Sequence, residues 1–106
     1  MIDTIAIGCD NLIEWREPCD KATGAFIGAD ATGSVAIKDA AGNVVGSATS
    51  YVAAYSAGPP RRYQATIPRD VPVVEGTTYY IEFTLTSGDG TVQGFRRWDV
   101  VAAYKE

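Results

Sequence analysis

A chain of 106 residues has room for one hydrophobic core, and its formal charge of −4 argues against binding nucleic acid by neutralising phosphates. There is no histidine, which removes the commonest general base and metal ligand, and two cysteines fall short of a secreted disulfide scaffold or a four-ligand zinc site. Met1 is followed by Ile-Asp-Thr with no basic n-region and no long apolar run, so neither a signal peptide nor a membrane-spanning helix is expected, and the product is expected to be made and kept in a cytoplasm or in something assembled there.

In chain order, Ile2–Ile7 alternates apolar with small or polar residues and reads as a strand, with Asn11–Trp15 as a second. The residues favour reduced, partly buried thiols for Cys9 and Cys19, with a local bridge left open if the ends of these two strands meet. Between Arg16 and Asp30 the alternation breaks, and a helical turn is expected near Pro18–Ala22. Val35 and Ile37 against Ser34, Ala36 and Lys38 restore the strand period. Asp39-Ala-Ala-Gly42-Asn43 then reads as a hairpin turn into Val44–Val45. Thr49–Ser56 carries Tyr51 and Tyr55 into a stiff loop, Ala57-Gly58-Pro59-Pro60, followed by Arg61 and Arg62. Tyr63, Ala65 and Ile67 mark another strand, which Pro68 ends because it has no N–H for a ladder.

The clearest strand sets Tyr79, Ile81, Phe83 and Leu85 on one face and Thr78, Tyr80, Glu82, Thr84 and Thr86 on the other. Ser87-Gly88-Asp89-Gly90 makes the turn into the last strand. There Trp98, Val100 and Ala102 share one face, while Phe95, Arg97, Asp99 and Val101 form an outward face only half polar, as if something covers it. The expectation is one domain over residues 1–106, all-β, with about seven strands in an antiparallel β-sandwich. Val73, Gly76 and Tyr79 sharpen it. An apolar residue, a glycine three on and a tyrosine three further on, at the start of an alternating strand, resemble the tyrosine corner of immunoglobulin-like and fibronectin type III sandwiches. The Cys-Trp-Cys spacing of antibody domains is missing, so the likeness is one of architecture.

Catalytic and metal chemistry find little support. No Gly-x-Ser-x-Gly elbow or phosphate loop occurs. Asp30, Asp39 and Asp89 could gather around a cation at one end of a sandwich, but loop aspartates serve turns far more often. Glu14 and Glu17 have nothing nearby to split their acidities into acid and base. The expectation is no enzyme, no metal and no cofactor. Interaction residues are sought instead among Tyr51, Tyr55, Arg61, Arg62, Arg96 and Arg97, because Tyr and Arg contribute most at protein interfaces. Charge is uneven too. Residues 1–53 carry seven acids and three bases and residues 54–106 six of each, which would suit head-to-tail contact between copies.

Residues 11–106 resemble the small immunoglobulin-like proteins encoded among the head and tail genes of tailed bacteriophages and prophages. The likeness lies in Asn11-Leu-Ile13, Ala22-Thr-Gly-Ala-Phe-Ile27, Asp30-Ala-Thr32, Val35–Val45, Arg62–Pro68 and Gly76–Tyr79. It implies a virion structural protein at the capsid, head–tail junction or tail, present in repeated copies. Its partners would be other virion proteins and copies of itself, with no nucleic acid or membrane. The alternative is an immunoglobulin-like module that binds cell-surface carbohydrate by stacking on Trp15, Tyr55 or Trp98.

Overall fold

Alternating side chains build every strand of the fold. The computed structural model describes residues 3–46 and 48–104. Its strands are β1 (Thr4–Ile7), β2 (Asn11–Arg16), β3 (Thr32–Lys38), β4 (Tyr51–Ser56), β5 (Arg62–Ile67), β6 (Thr78–Thr86) and β7 (Val92–Tyr104). The residue Ile2 of the first predicted strand lies outside the described residues. Hydrogen bonding runs in the order β1-β7-β6-β3-β4-β5-β2, and no helix occurs among the described residues.

The chain of strands folds over into two layers. β1, β7, β6, β3 and the start of β4 form one; the end of β4, β5 and β2 form the other. β4 belongs to both, pairing Tyr51–Ala53 with β3 and Ala54–Ser56 with β5. The pairings β2–β5, β3–β6 and β6–β7, with the corner described below, make this an immunoglobulin-like sandwich, curled enough to approach a barrel. One pair departs from the antiparallel expectation. β1 runs parallel to β7, from Thr4 beside Val101 to Ile7 beside Tyr104. The chain enters along the edge of β7 and then crosses to the other layer through a tight turn at Gly8–Asp10, held by Asn11. That side chain accepts the Ala6 N–H at 2.9 Å and donates to the Ala6 and Cys9 carbonyls, each at 3.0 Å.

One contiguous core lies between the layers, and it includes Ile13, Val35, Ile37, Tyr63, Ile67, Ile81, Phe83, Leu85 and Val100. Each large side chain taken from water contributes about 1.5–3 kcal/mol. Trp15 spans the gap, only 8 % exposed, with its ring edge-on to Phe83 at 5.6 Å. Its tip lies beneath Gly94 of β7, where a Cβ would sit 2.6 Å from Cη2. Gly94 is therefore the gap in β7 that the indole fills.

The tyrosine corner is present. The Tyr79 hydroxyl accepts the Val74 N–H at 2.8 Å, and Gly76 takes φ 79°, a left-handed conformation that glycine adopts without strain. Val73 packs against the core beside it. A second tyrosine acts alike: the buried Tyr63 hydroxyl donates to the Gly28 carbonyl and lies 3.2 Å from that of Ala31, fastening the approach to β3.

The expected hairpin turns are also present. Asp39 Oδ1 accepts the N–H groups of Ala41 and Asn43, and Val45 N–H returns to the Ile37 carbonyl. At the β6–β7 turn Ser87 and Thr91 close the ladder at 2.8 Å. Near the helical turn expected at Pro18–Ala22 the chain makes one side-chain-capped turn slightly later, with Gly24 N–H bonded to the Asp20 carbonyl at 2.8 Å. Asp20 Oδ1 accepts from Ala22 and Thr23, Asp20 N–H bonds the Ala25 carbonyl, and Cys19 bridges to Phe26 as in a short hairpin. An aspartate accepting these two amides caps the turn, and Gly24, at φ 76°, ends it after a single cycle.

Candidate functional site

The outward face of β3, β6 and β7 carries Thr, Ser and Ala around one charged cluster. Pairing sets Arg97 beside Glu82 and Glu82 beside Ala36, with Asp99–Tyr80–Lys38 as the next row. Glu82 holds Lys38 at 2.8 Å and Arg97 at 3.3 Å, while the Arg97 guanidinium lies 4.1 Å over the Tyr80 ring. Around the cluster stand apolar side chains that reach water: Phe95, Val101 and Val52, the last 82 % exposed. This is the half-polar outer face foreseen for the last strand.

The opposite layer presents a shallow groove of about 340 Å³ lined by Leu12, Glu14, Arg16, Pro60, Arg62 and Gln64. Glu14 lies 3.3 Å from Arg62 and 3.8 Å from Arg16. Arg62 also donates to the Gln64 side chain at 3.3 Å and to the carbonyls of Gly58 and Pro60 at 3.2 and 3.0 Å. Its donors are thus occupied in shaping the proline loop. Glu17 stands past the end of β2 with φ 47°, so the partners of Glu14 are arginines, and no carboxylate pair forms.

The six residues sought as an interface do not form one patch. Tyr51 and Tyr55 lie on the inward phase of β4, half-buried against the core, and Tyr55 tilts onto Tyr63 at 5.3 Å. Burial, with the charge of Asp70 second, pushes the Tyr51 hydroxyl's pKa up, and burial does the same for Tyr63. Arg61 lies 4.3 Å over the exposed ring of Phe26, and Arg96 lies 5.2 Å over Trp15. Three of the four arginines are therefore stacked on aromatic rings, each in a different place, which keeps a long side chain ordered before any partner arrives. Phe26, Tyr80, Glu82, Phe95 and Val52 are surface residues that sequence reasoning did not single out as a site.

The loops carry structural acids. Asp89 accepts from Ser87 and, at 2.9 Å, from Thr91 N–H, and these bonds take its pKa down to about 2. Asp10 accepts the Arg69 N–H at 2.9 Å with the guanidinium at 3.4 Å, and the side-chain bond leads in lowering its pKa. Asp20 is lowered chiefly by the Ala22 N–H. Asp39 and Asp89 each cap their own turn, and among the described residues no three His, Cys, Asp or Glu side chains gather in a metal-binding group. Cys9, half-buried, and Cys19, exposed, are not bridged. No protein-family model, curated protein or solved structure matches the chain.

Proposed function

We propose that this chain is a non-enzymatic structural protein of a tailed-phage or prophage virion, binding neighbouring capsid, head–tail connector or tail proteins in repeated copies. The virion assignment comes from the sequence resemblance. The observation that carries protein binding is the outer face of β3–β6–β7. There Arg97 is held over Tyr80 and paired to Glu82, with exposed Phe95, Val101 and Val52 around them. A surface with pre-ordered Arg and Tyr and apolar residues open to water suits docking onto another protein. Its small Thr, Ser and Ala side chains let a partner approach closely.

The carbohydrate alternative needs an exposed aromatic platform, and Trp15 is buried while Tyr55 and Trp98 are half-buried. Mass spectrometry of purified particles from the parent phage tests the assignment. The protein is expected at a fixed stoichiometry to the capsid or tail subunits, and its absence from intact virions overturns the reading.

A further inference from the structure

Among the described residues two strand edges are open, and the bonds at their ends show which way their amides point. On β7, Ala102 N–H donates to Thr77 on the β6 side at 3.0 Å. Val101 N–H donates the other way, to Asp3 at 3.1 Å, and the Gln93 carbonyl accepts Lys21 N–H at 2.9 Å. Odd-numbered residues of β7 therefore turn their amides away from β6. Between Gln93 and Val101, the N–H and C=O groups of Phe95, Arg97 and Asp99 face an edge along which no strand among the described residues runs. On β2, Glu17 N–H donates to Arg61 at 2.7 Å, in phase with the pairs Trp15–Tyr63 and Ile13–Ala65. Leu12, Glu14 and Arg16 consequently turn their amides outward from β5. Each open edge is five residues long, 12–16 and 95–99. Both border the same flank, since Trp15 passes beneath Gly94 and lies under Arg96.

We propose that two copies of the chain associate edge to edge, the open β2 edge of one pairing antiparallel with the open β7 edge of the other. The occupant is chosen by charge and length. Setting Glu14 opposite Arg97 places Leu12 opposite Asp99 and Arg16 opposite Phe95, with Ile13–Trp98 and Trp15–Arg96 on the inner side. All five positions are used, and no like charges meet. Shifting β2 by two residues the wrong way puts Arg16 opposite Arg97 and Glu14 opposite Asp99. Full overlap of β2 with a second β2 sets Glu14 against Glu14. Full overlap of β7 with a second β7 sets Arg97 against Arg97. Five antiparallel pairings separate β2 from β7, so within one copy they run in opposite directions. A two-fold axis along the strands then lets each copy give and receive one edge, closing the pair. Main-chain ladders of this kind supply affinity while the side chains set register. The proposal deepens the assembly reading above and rests on it only for its biological setting.

Sedimentation velocity of the purified full chain, over a micromolar to millimolar series, tests it. The chain is expected to form a dimer. Glu14→Arg or Arg97→Glu is expected to weaken the dimer about tenfold, and the two together to restore it. Amide exchange is expected to slow with concentration at Leu12, Glu14, Arg16, Phe95, Arg97 and Asp99. Leu12→Pro, which removes one outward N–H and leaves the β5 ladder intact, is expected to abolish association, with thermal melts reporting the fold of each variant. A monomer throughout the series overturns the proposal, as does a dimer indifferent to both charge reversals. Because the assay needs no phage, a protein present in virions but monomeric in solution refutes edge pairing alone.

Discussion

Replacing Gly94 with alanine is the sharpest probe of the core. The new Cβ would lie 2.6 Å from Trp15 Cη2 and 3.3 Å from Cζ3. The first distance is about 1 Å inside the ordinary separation of non-bonded carbons. The indole cannot swing clear, because it is buried edge-on to Phe83 and covered by Arg96. Overpacking of this kind costs about 1–3 kcal/mol. A less flexible unfolded chain offsets about 0.4–1 kcal/mol of that, since Gly94 does not need a left-handed conformation. The expected net loss is about 1–2 kcal/mol, or roughly 4–16 °C in Tm for a domain near this size. Urea denaturation followed by far-UV circular dichroism measures it. The decisive result is the double mutant with Trp15→Phe, whose shorter ring vacates the Cη2 position. In that background Gly94→Ala should be neutral or stabilising, a coupling of at least about 1 kcal/mol. Additivity within about 0.5 kcal/mol would show that the two positions do not touch and would refute the reasoning.

Other perturbations are equally specific. Tyr79→Phe removes the acceptor for Val74 N–H, and a loss of about 0.5–1.5 kcal/mol is expected in the urea midpoint with an unchanged m-value. Asp89 has a folded pKa depressed to about 2, so its contribution is complete above the ordinary carboxylate range near pH 4 and is lost as pH falls through about 2. Melts of wild type and Asp89→Asn should therefore differ at neutral pH and converge in strong acid. Arg69→Ala should raise the Asp10 pKa in an NMR titration, though only part of the way, because the N–H of residue 69 still donates to the carboxylate.

The fold was legible where side chains alternate with strong contrast. β3, β5 and β6 each set Ile, Val, Phe, Leu or Tyr against polar neighbours, and the burial of the two faces follows. Asp39–Asn43 and Ser87–Gly90 were legible because turn residues act locally. Tyr79 was legible because its corner spans only a few residues. The direction of β1 was not, because running parallel to β7 depends on where the far end of the chain arrives. Nor was the role of Tyr51 and Tyr55. The sequence Tyr-Val-Ala-Ala-Tyr has little contrast, and which face is covered depends on β3 and β5. The candidate site was least legible of all. Arg97 finds Tyr80 and Glu82 only through the register of the β6–β7 hairpin, and Arg96 finds Trp15 only across the two layers. In sequence these arginines are adjacent, whereas in space they serve opposite sides of one strand.

The division of β4 between the two layers has a mechanical consequence. A strand anchored at one end in each sheet acts as a rivet, so the layers cannot slide past one another without tearing both ladders in the same few residues. Shear along the strands is then resisted by main-chain bonds at Ala53 and Ala54 as well as by side-chain packing. A protein loaded from its two broad faces would deform as one body.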